Sequence, residues 1–255
     1  EVFIDAGSIG TTTADGSGNW SFDHTSTTLA DGSYAITAAA TDASGNTSAT
    51  SSALNITVDT AAPSAPTVAA ITDDTGTASD GITSDNQLII TGTAEANASV
   101  EVFIDAGSIG TATADGSGNW SFDHTGTTLA DGSYAITAAA TDASGNTSST
   151  SSALNITVDT AAPAAPAVTA ITDDTGTASD GITSDNQLII AGTAEANASV
   201  EVFIDAGSIG TATADGSGNW SFDHTSTTLA DGSYAITAAA TDVSGNTSAA
   251  SSALN

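Results

Sequence analysis

A repeat of 100 residues dominates the sequence and most constrains its fold. Residues 1–100 and 101–200 match at all but seven positions, and residues 201–255 match 101–155 at all but four. One hundred residues is the size of a small domain and is too long for one turn of a solenoid. The chain is therefore predicted to be a tandem array of domains that share one fold and contact their neighbours in the same chain.

The four prolines mark the boundaries between the predicted domains. They lie in two segments, DTAAPSAP and DTAAPAAP, at positions 63, 66, 163 and 166. Proline fixes the backbone φ angle, so each segment is predicted to be a short, stiff connector. Neither end of the chain coincides with a predicted boundary, so we expect a longer array. The predicted domains are the C-terminal part of one domain over 1–60, a complete domain over 61–160, and a domain lacking its last strand over 161–255.

The pattern within one repeat is typical of β-strands separated by turns. Tyr134 and Ile136 alternate with smaller residues, no stretch has helical periodicity, and Ser, Thr and Gly are frequent throughout. Seven short strands in about 100 residues are typical of an immunoglobulin-like Greek-key β-sandwich. The chain is thus predicted to be all-β. The predicted strands span residues 67–72, 87–93, 99–105, 110–114, 119–123, 133–141 and 151–158.

The order of these strands predicts which loops meet at a domain junction. The loop 73–86, here called the top loop, should lie beside Asp159, where the last strand ends. The loop 142–146, here called the base loop, should lie at the other end, near the incoming linker. The top of one domain should therefore face the base of the next. Tyr134 follows a tight Asp-Gly turn and is predicted to form a tyrosine corner, or else to be an ordinary core tyrosine.

All the charged side chains of the sequence are acidic. It contains 30 Asp and Glu residues and no Lys, Arg, Cys or Met, which gives a formal net charge of −30. Nucleic-acid binding and docking on anionic membranes both require cationic side chains, so both are excluded. Lys and Arg salt bridges, disulfides and thiolate metal sites are excluded too. No apolar run is long enough for a transmembrane helix, so membrane insertion is not expected.

Carboxylates without a countercharge predict bound cations at the domain ends. Calcium accepts six to eight oxygen ligands in flexible geometry, which suits Asp-, Asn- and Gly-rich loops, whereas magnesium is more demanding. Transition metals prefer His or Cys, and the chain has one His per repeat. For Asp115 and Asp131 we expect local turns instead. The acids expected to approach one another across the second junction are Asp73, Asp74, Asp80, Asp85 and Asp159, together with Asp242 of the following unit.

Several motifs occur together in the order found in one family. They are VDTAAPSAP, ITDDTG, SDN, TGTAEANASVEVF, ADGSGNWSF and LADGSYAITAAATDASGN. This run resembles the bacterial Ig-like repeats of giant repeats-in-toxin adhesins. The resemblance implies type I secretion, calcium at interdomain linkers, and an extender role between the bacterial cell surface and distal adhesive domains. The resemblance adds Asp59, Asp42, Asp142, Asp173, Asp174 and Asp185 to the predicted calcium ligands, and Asp180 is added as the counterpart of Asp80.

Three functions compete for this sequence. A calcium-stiffened spacer, expected to be a monomeric rod used in attachment or biofilm formation, fits near-identical repeats because it needs length and no unique surface. A module that binds carbohydrate or ice would use Trp20, Trp120 and Trp220, or threonines such as Thr111 and Thr113. The tryptophans alternate with phenylalanines and are predicted to be core residues. An enzyme is not expected, because no nucleophile–base constellation is present and no difference between the repeats marks one of them as an active unit.

Overall fold

The structure is a computed structural model that describes residues 1–172, 174–177 and 180–254. Strands and turns make up this part of the chain, so the prediction of an all-β fold is confirmed. No helix within the described residues is long and apolar enough to cross a membrane. The first unit (residues 1–60), the second unit (61–160) and the third unit (161–255) are described in turn.

The first unit contains one four-stranded antiparallel sheet in the order β2–β1–β3–β4. No second sheet covers it within the described residues 1–60, and the core position Trp20 is 50% exposed. Residues 19–23 repeat a strand of the second unit, but they have no pairing partner here and form no strand. The strands are β1 (Val2–Ile4), β2 (Gly7–Gly10), β3 (Gly32–Ala38) and β4 (Leu54–Val58).

The second unit is a complete two-sheet sandwich. One sheet has the order β10–β7–β5 and the other the order β6–β12–β11–β8–β9. All seven predicted strands are present, with some ends shifted by up to three residues. The two-residue strand β6 was missed, because it is too short to show alternation. The strands are β5 (Thr67–Ile71), β6 (Ile82–Thr83), β7 (Ile89–Thr93), β8 (Ser99–Ile104), β9 (Gly107–Thr113), β10 (Asn119–Asp123), β11 (Gly132–Thr141) and β12 (Leu154–Val158).

Small residues let the two sheets of the second unit pack closely around Trp120, which is 3% exposed. Gly92 lies under the indole ring, and a Cβ atom at this position would overlap both the ring and the carbonyl oxygen of Thr67. Ile136 and Val100 complete the core from the opposite sheet. The predicted tyrosine corner is confirmed, because the Tyr134 hydroxyl donates to the carbonyl oxygen of Ala130 at 2.8 Å.

The third unit repeats this arrangement with two three-stranded sheets, β13–β14–β17 and β16–β15–β18. An isolated bridge between Ile236 and Leu254 stands where β12 pairs with β11 in the second unit. Its core contains Trp220, Ile190 and Val202. The strands are β13 (Ala167–Ile171), β14 (Ile189–Thr193), β15 (Ser199–Ile204), β16 (Gly207–Thr213), β17 (Asn219–Asp223) and β18 (Ile236–Thr241).

Candidate interdomain site

Each base loop is folded by its own aspartate. In the second unit, Asp142 Oδ1 accepts hydrogen bonds from the backbone N–H groups of Ser144 (2.8 Å) and Asn146 (2.9 Å). The Asn146 amide donates to the other carboxylate oxygen at 2.9 Å. The counterpart loop 42–46 has the same three bonds. These bonds, led by the asparagine side chain, hold the pKa of Asp42 and Asp142 below its ordinary value.

The linker aspartate of each unit contacts the base loop of the next unit. At the second junction, the Asn246 amide donates to the Asp159 carbonyl oxygen at 2.8 Å and to Asp242 Oδ2 at 3.0 Å. The Ser244 hydroxyl donates to Asp159 Oδ2 at 3.3 Å. One asparagine therefore joins the backbone of Asp159 to the carboxylate of Asp242 across the junction, and the role of these aspartates as calcium ligands stays a prediction. Asp59, Ser144 and Asn146 form the equivalent contacts at the first junction.

The top loop of the second unit adds a second set of contacts at the second junction. The Thr75 hydroxyl and the Ser84 N–H both donate to the Ser244 carbonyl oxygen, at 2.5 and 3.2 Å. Gly76 packs directly against the Val243 backbone. The Asp159 N–H donates to the Thr83 carbonyl oxygen at 2.9 Å. The top loop thus lies beside Asp159, as predicted, and faces the base of the third unit.

These contacts bury the base loop to a different extent in each unit. Asp42 is exposed, Asp142 is half-buried and Asp242 is 8% exposed. Ser144 is exposed, whereas Ser244 is completely buried. The loops have nearly the same sequence, so the neighbouring residues determine the burial.

The other predicted acids of the top loop each bind nearby backbone. Asp74 Oδ2 accepts a bond from the Ser79 N–H at 2.7 Å, and Asp80 and Asp85 each accept one from the residue two positions ahead. Asp73 has a φ angle of +62°, and its carbonyl oxygen accepts the Thr83 hydroxyl. In the third unit, Asp180 and Asp185 repeat these turns, Asp174 lies in the described part of the loop, and Asp173 lies outside the described residues.

The chemistry of these oxygen atoms suits a hard cation. Asp74 Oδ1 is buried and has no hydrogen-bond partner. The cost of removing this carboxylate oxygen from water is therefore not offset by a hydrogen bond. Carboxylate, hydroxyl and carbonyl oxygens are the ligands calcium prefers. Among the described residues, no three carboxylate or imidazole groups lie close enough together to hold a metal ion. A calcium ion here would therefore need hydroxyl or backbone oxygens in addition to the aspartates.

Comparison with known families identifies the repeat. The bacterial Ig-like domain family matches residues 1–60, 62–160 and 162–255, which is nearly the whole chain. The chain belongs to the bacterial Ig-like domain family. The prediction of immunoglobulin-like sandwiches is thereby confirmed for the repeats. No curated protein matches the chain significantly.

Solved structures of several multidomain proteins resemble this bacterial Ig-like chain. Fibronectin(III)-like modules of Clostridium thermocellum CbhA are 17% identical with a TM-score of 0.44, and the match covers 71% of this chain and 89% of that one. A 1.5-MDa bacterial ice-binding adhesin is 23% identical with a TM-score of 0.39, and the match covers 89% of this chain and 74% of that one. A tetra-tandem repeat from the extending region of a large adhesion protein is 25% identical with a TM-score of 0.33, and the match covers 100% of this chain and 66% of that one.

Two turn predictions in these bacterial Ig-like units had different outcomes. Asp115 accepts local bonds from the N–H groups of Ser117 and Asn119, so its turn is confirmed. Asp131 was predicted to make a local turn as well, and this was wrong. Its Oδ1 accepts the N–H and the hydroxyl of Thr160, 29 residues away, at 3.0 and 2.8 Å. Asp131 therefore fixes the position of Thr160 at the start of the linker.

The residues that close the junctions were missed by sequence reasoning, which considered the acids alone. Ser244, Asn246 and Thr75 are neutral and supply the hydrogen bonds between units. The SGN segment recurs in every base loop and was the available signal. Trp120 and Trp220 are each 3% exposed, so they are core residues as predicted and provide no platform for a sugar. For Trp20 the prediction of a core residue was wrong: it is 50% exposed, because no second sheet covers it within the described residues 1–60.

Proposed function

We propose that the chain is part of an extender region of a bacterial cell-surface adhesin, in which calcium stiffens the junctions between bacterial Ig-like units. The observation that carries the proposal is the bond from Asn246 to both Asp159 and Asp242. This contact joins the end of one unit to the base of the next. A spacer needs such repeated fixed junctions, and each further repeat adds the same length.

Calcium would act at the aspartates of the junctions, together with hydroxyl and backbone oxygens. The chain carries a net charge of −30 and has no Lys or Arg to offset it. The candidate ligands include Asp159 Oδ2, which has only a 3.3 Å bond to a hydroxyl, and Asp74 Oδ1, which has no hydrogen-bond partner. Extracellular calcium modules bind at about 10⁻⁴ to 10⁻³ M. At concentrations ten to a hundred times that value, one site stabilises the folded form by roughly 1.4–2.7 kcal/mol.

The surface location and the distal partner follow from the same proposal. The region would be secreted, would fold outside the cell when it meets calcium, and would hold a separate adhesive domain away from the cell for attachment or biofilm formation. The family membership and the resemblance to repeats-in-toxin adhesins support this role. The units themselves would perform no catalysis, since their near-identical sequences give no unit a distinct constellation of reactive groups.

A calcium titration followed by small-angle X-ray scattering tests the proposal. Adding calcium to chelator-treated protein should raise the melting temperature and increase the maximum dimension as the junctions straighten. Magnesium at the same ionic strength is the control and should have a smaller effect, because it is reluctant to lose its hydration water. Scattering profiles and melting temperatures that do not respond to calcium would overturn calcium stiffening.

A further inference from the structure

The linker between the second and third units, residues 159–166, is held close to both of its ends. Pro163 is buried, so the linker is packed at this residue. Asp159 Oδ1 accepts the N–H of Ala161 at 3.1 Å, which closes a local turn at the start of the linker. A proline also restricts the residue before it, here Ala162, to extended conformations. The direction of the linker is therefore decided by the few residues that follow the last strand of the second unit.

A side chain holds the chain just beyond the point where the β11–β12 ladder ends. The last backbone pair of the ladder joins Gly132 to Val158. Two residues further along, the N–H and the hydroxyl of Thr160 both donate to Asp131 Oδ1, at 3.0 and 2.8 Å. Hydrogen bonds to an ionised carboxylate are stronger than those between neutral groups. Asp131 therefore fixes a residue that the backbone ladder of the sheet no longer reaches.

The tyrosine corner holds Asp131 in the turn from which it makes this contact. The Tyr134 hydroxyl donates at 2.8 Å to the carbonyl oxygen of Ala130, the residue directly before Asp131. Gly132, the residue directly after it, begins β11. The backbone on both sides of Asp131 is thus fixed, so little conformational freedom is lost when its carboxylate binds the linker.

The same contact occurs at the first junction. Asp31 Oδ1 accepts the N–H and the hydroxyl of Thr60, at 3.0 and 2.9 Å. The Ala61 N–H donates to Asp59 Oδ1 at 3.1 Å, and Pro63 is buried as well. Among the described residues the top-loop contact occurs at the second junction alone. The contact between aspartate and threonine therefore does not depend on the top loop.

We propose that Asp131 is a positioning residue, which sets the direction in which the linker leaves the second unit and does so without calcium. Asp159 lies between the end of β12 and Thr160, and its carbonyl oxygen accepts the Asn246 amide of the third unit. Fixing Thr160 therefore holds Asp159 from both sides, and with it the contact to the third unit. The donors to Asp131 are neutral groups, so this part of the rigidity should persist in chelator. The inference concerns the junctions of the proposed extender and is independent of calcium binding.

Pulsed electron resonance tests the role of Asp131 in orienting the next unit. Spin labels on Thr111→Cys and Thr211→Cys, which are exposed positions of β9 and β16, report the distance between the second and third units. Asp131→Ala should broaden the distance distribution in chelator and in calcium. Asp131→Asn keeps an oxygen that can accept both bonds, so it should retain the native width. Thr160→Val lies outside the strands and removes the hydroxyl bond alone, so it should broaden the distribution less.

Amide hydrogen exchange measures the contact itself. The Thr160 N–H should exchange about tenfold faster in Asp131→Ala than in the native chain, because it loses its acceptor. Asp31→Ala is the matched control, since it removes the same contact at the first junction. It should accelerate exchange at Thr60 and leave the distance distribution between the second and third units unchanged.

Three results would overturn the positioning role. The first is an equal width for the native chain and Asp131→Ala in chelator, and the second is an equal broadening by Asp31→Ala. The third is a broadening by Asp131→Asn as large as that by Asp131→Ala, because the charge, and not the hydrogen bonds, would then hold the linker. A native chain with the same width in calcium and chelator would overturn calcium stiffening, whereas broadening by Asp131→Ala alone would still support the positioning role.

Discussion

The two junctions of this chain contain the same base loop but hold it differently. At the first junction, Asp59 alone meets the loop, and Ser144 stays exposed. At the second junction, Asp159 and the top loop both meet it, and Ser244 becomes completely buried. The base loop of the first unit, residues 42–46, is fully exposed. Within the described residues, both junctions have the linker contact, and the second has the top-loop contact in addition.

The largest expected effect comes from blocking the top-loop contact. Gly76 has a φ angle of +73°, and a Cβ atom there would overlap the Val243 carbonyl oxygen. Gly76→Ala should open the second junction, because the backbone of the third unit cannot move aside without losing its bonds to Thr75 and Ser84. Small-angle scattering should show a more compact, flexible particle.

The matched control is Gly176→Ala in the third unit. Gly176 also has a positive φ angle, but no atom of the described residues lies within 4 Å of an added Cβ atom. Both variants should lose about 1–2 kcal/mol of local stability from backbone strain. If the two variants gave the same scattering profile, the top loop would have no role at the junction.

The next largest effect is expected from removing the asparagine that joins the two aspartates. Asn246→Ala leaves the Asp159 carbonyl oxygen without this donor in a partly buried site, which should cost about 1–3 kcal/mol of junction stability. Asn146→Ala should have a similar but smaller effect, and Asn46→Ala should affect its own loop alone. Chemical denaturation of the three variants checks this order. A larger loss for Asn46→Ala would contradict it.

The fold was predictable because its signals are local and repeated. The alternation at Tyr134 and Ile136 predicted a strand and its inward face. The Asp-Gly turn before them predicted the tyrosine corner. The ends of the sandwich followed from strand order. The short strand β6 was not predictable, because its identity depends on pairing with β12 and not on its own two residues.

Of the residues at the junctions, only the aspartates could be predicted from the sequence. Asp59, Asp159 and Asp242 lie at the junctions, as the strand order predicts, and their role as calcium ligands stays a prediction. The bonds made by Ser244 and Thr75 were not visible, since hydroxyls are frequent everywhere in this chain and their partners depend on loop geometry. Sequence alone also could not rank the base loops by burial, because residues 42–46 and 142–146 are identical.

A moderate loss of thermal stability is expected at low pH. Bonds from the asparagine side chains lower the pKa of Asp42 and Asp142 from the ordinary value of 3.8. The folded pKa is therefore below the unfolded one, so the ionised carboxylates stabilise the loops fully above the unfolded pKa. This contribution is lost as the pH falls from about 3.8 through the folded pKa. Melting temperatures between pH 6 and pH 2.5 should show the loss, and Asp142→Asn should reduce it.

The smallest effect is expected from the one sequence difference between the base loops of the second and third units. Val243 replaces Ala143, and its side chain is 44% exposed. The contact to Gly76 uses the Val243 carbonyl oxygen, so Val243→Ala should change stability by less than about 0.5 kcal/mol. Differential scanning calorimetry checks this, and a loss as large as that of Asn246→Ala would show that the side chain matters.

The distance distribution between the second and third units tests the extender account most directly. The chain has no cysteine, so spin labels on Thr111→Cys and Thr211→Cys, both exposed strand positions, report this distance without background. Pulsed electron resonance should give a narrow distribution in calcium, a broader one in chelator, and a broad one in both for Asp159→Ala. Equal widths for the native chain in calcium and chelator, and for Asp159→Ala, would contradict a calcium-stiffened junction built on the linker aspartate.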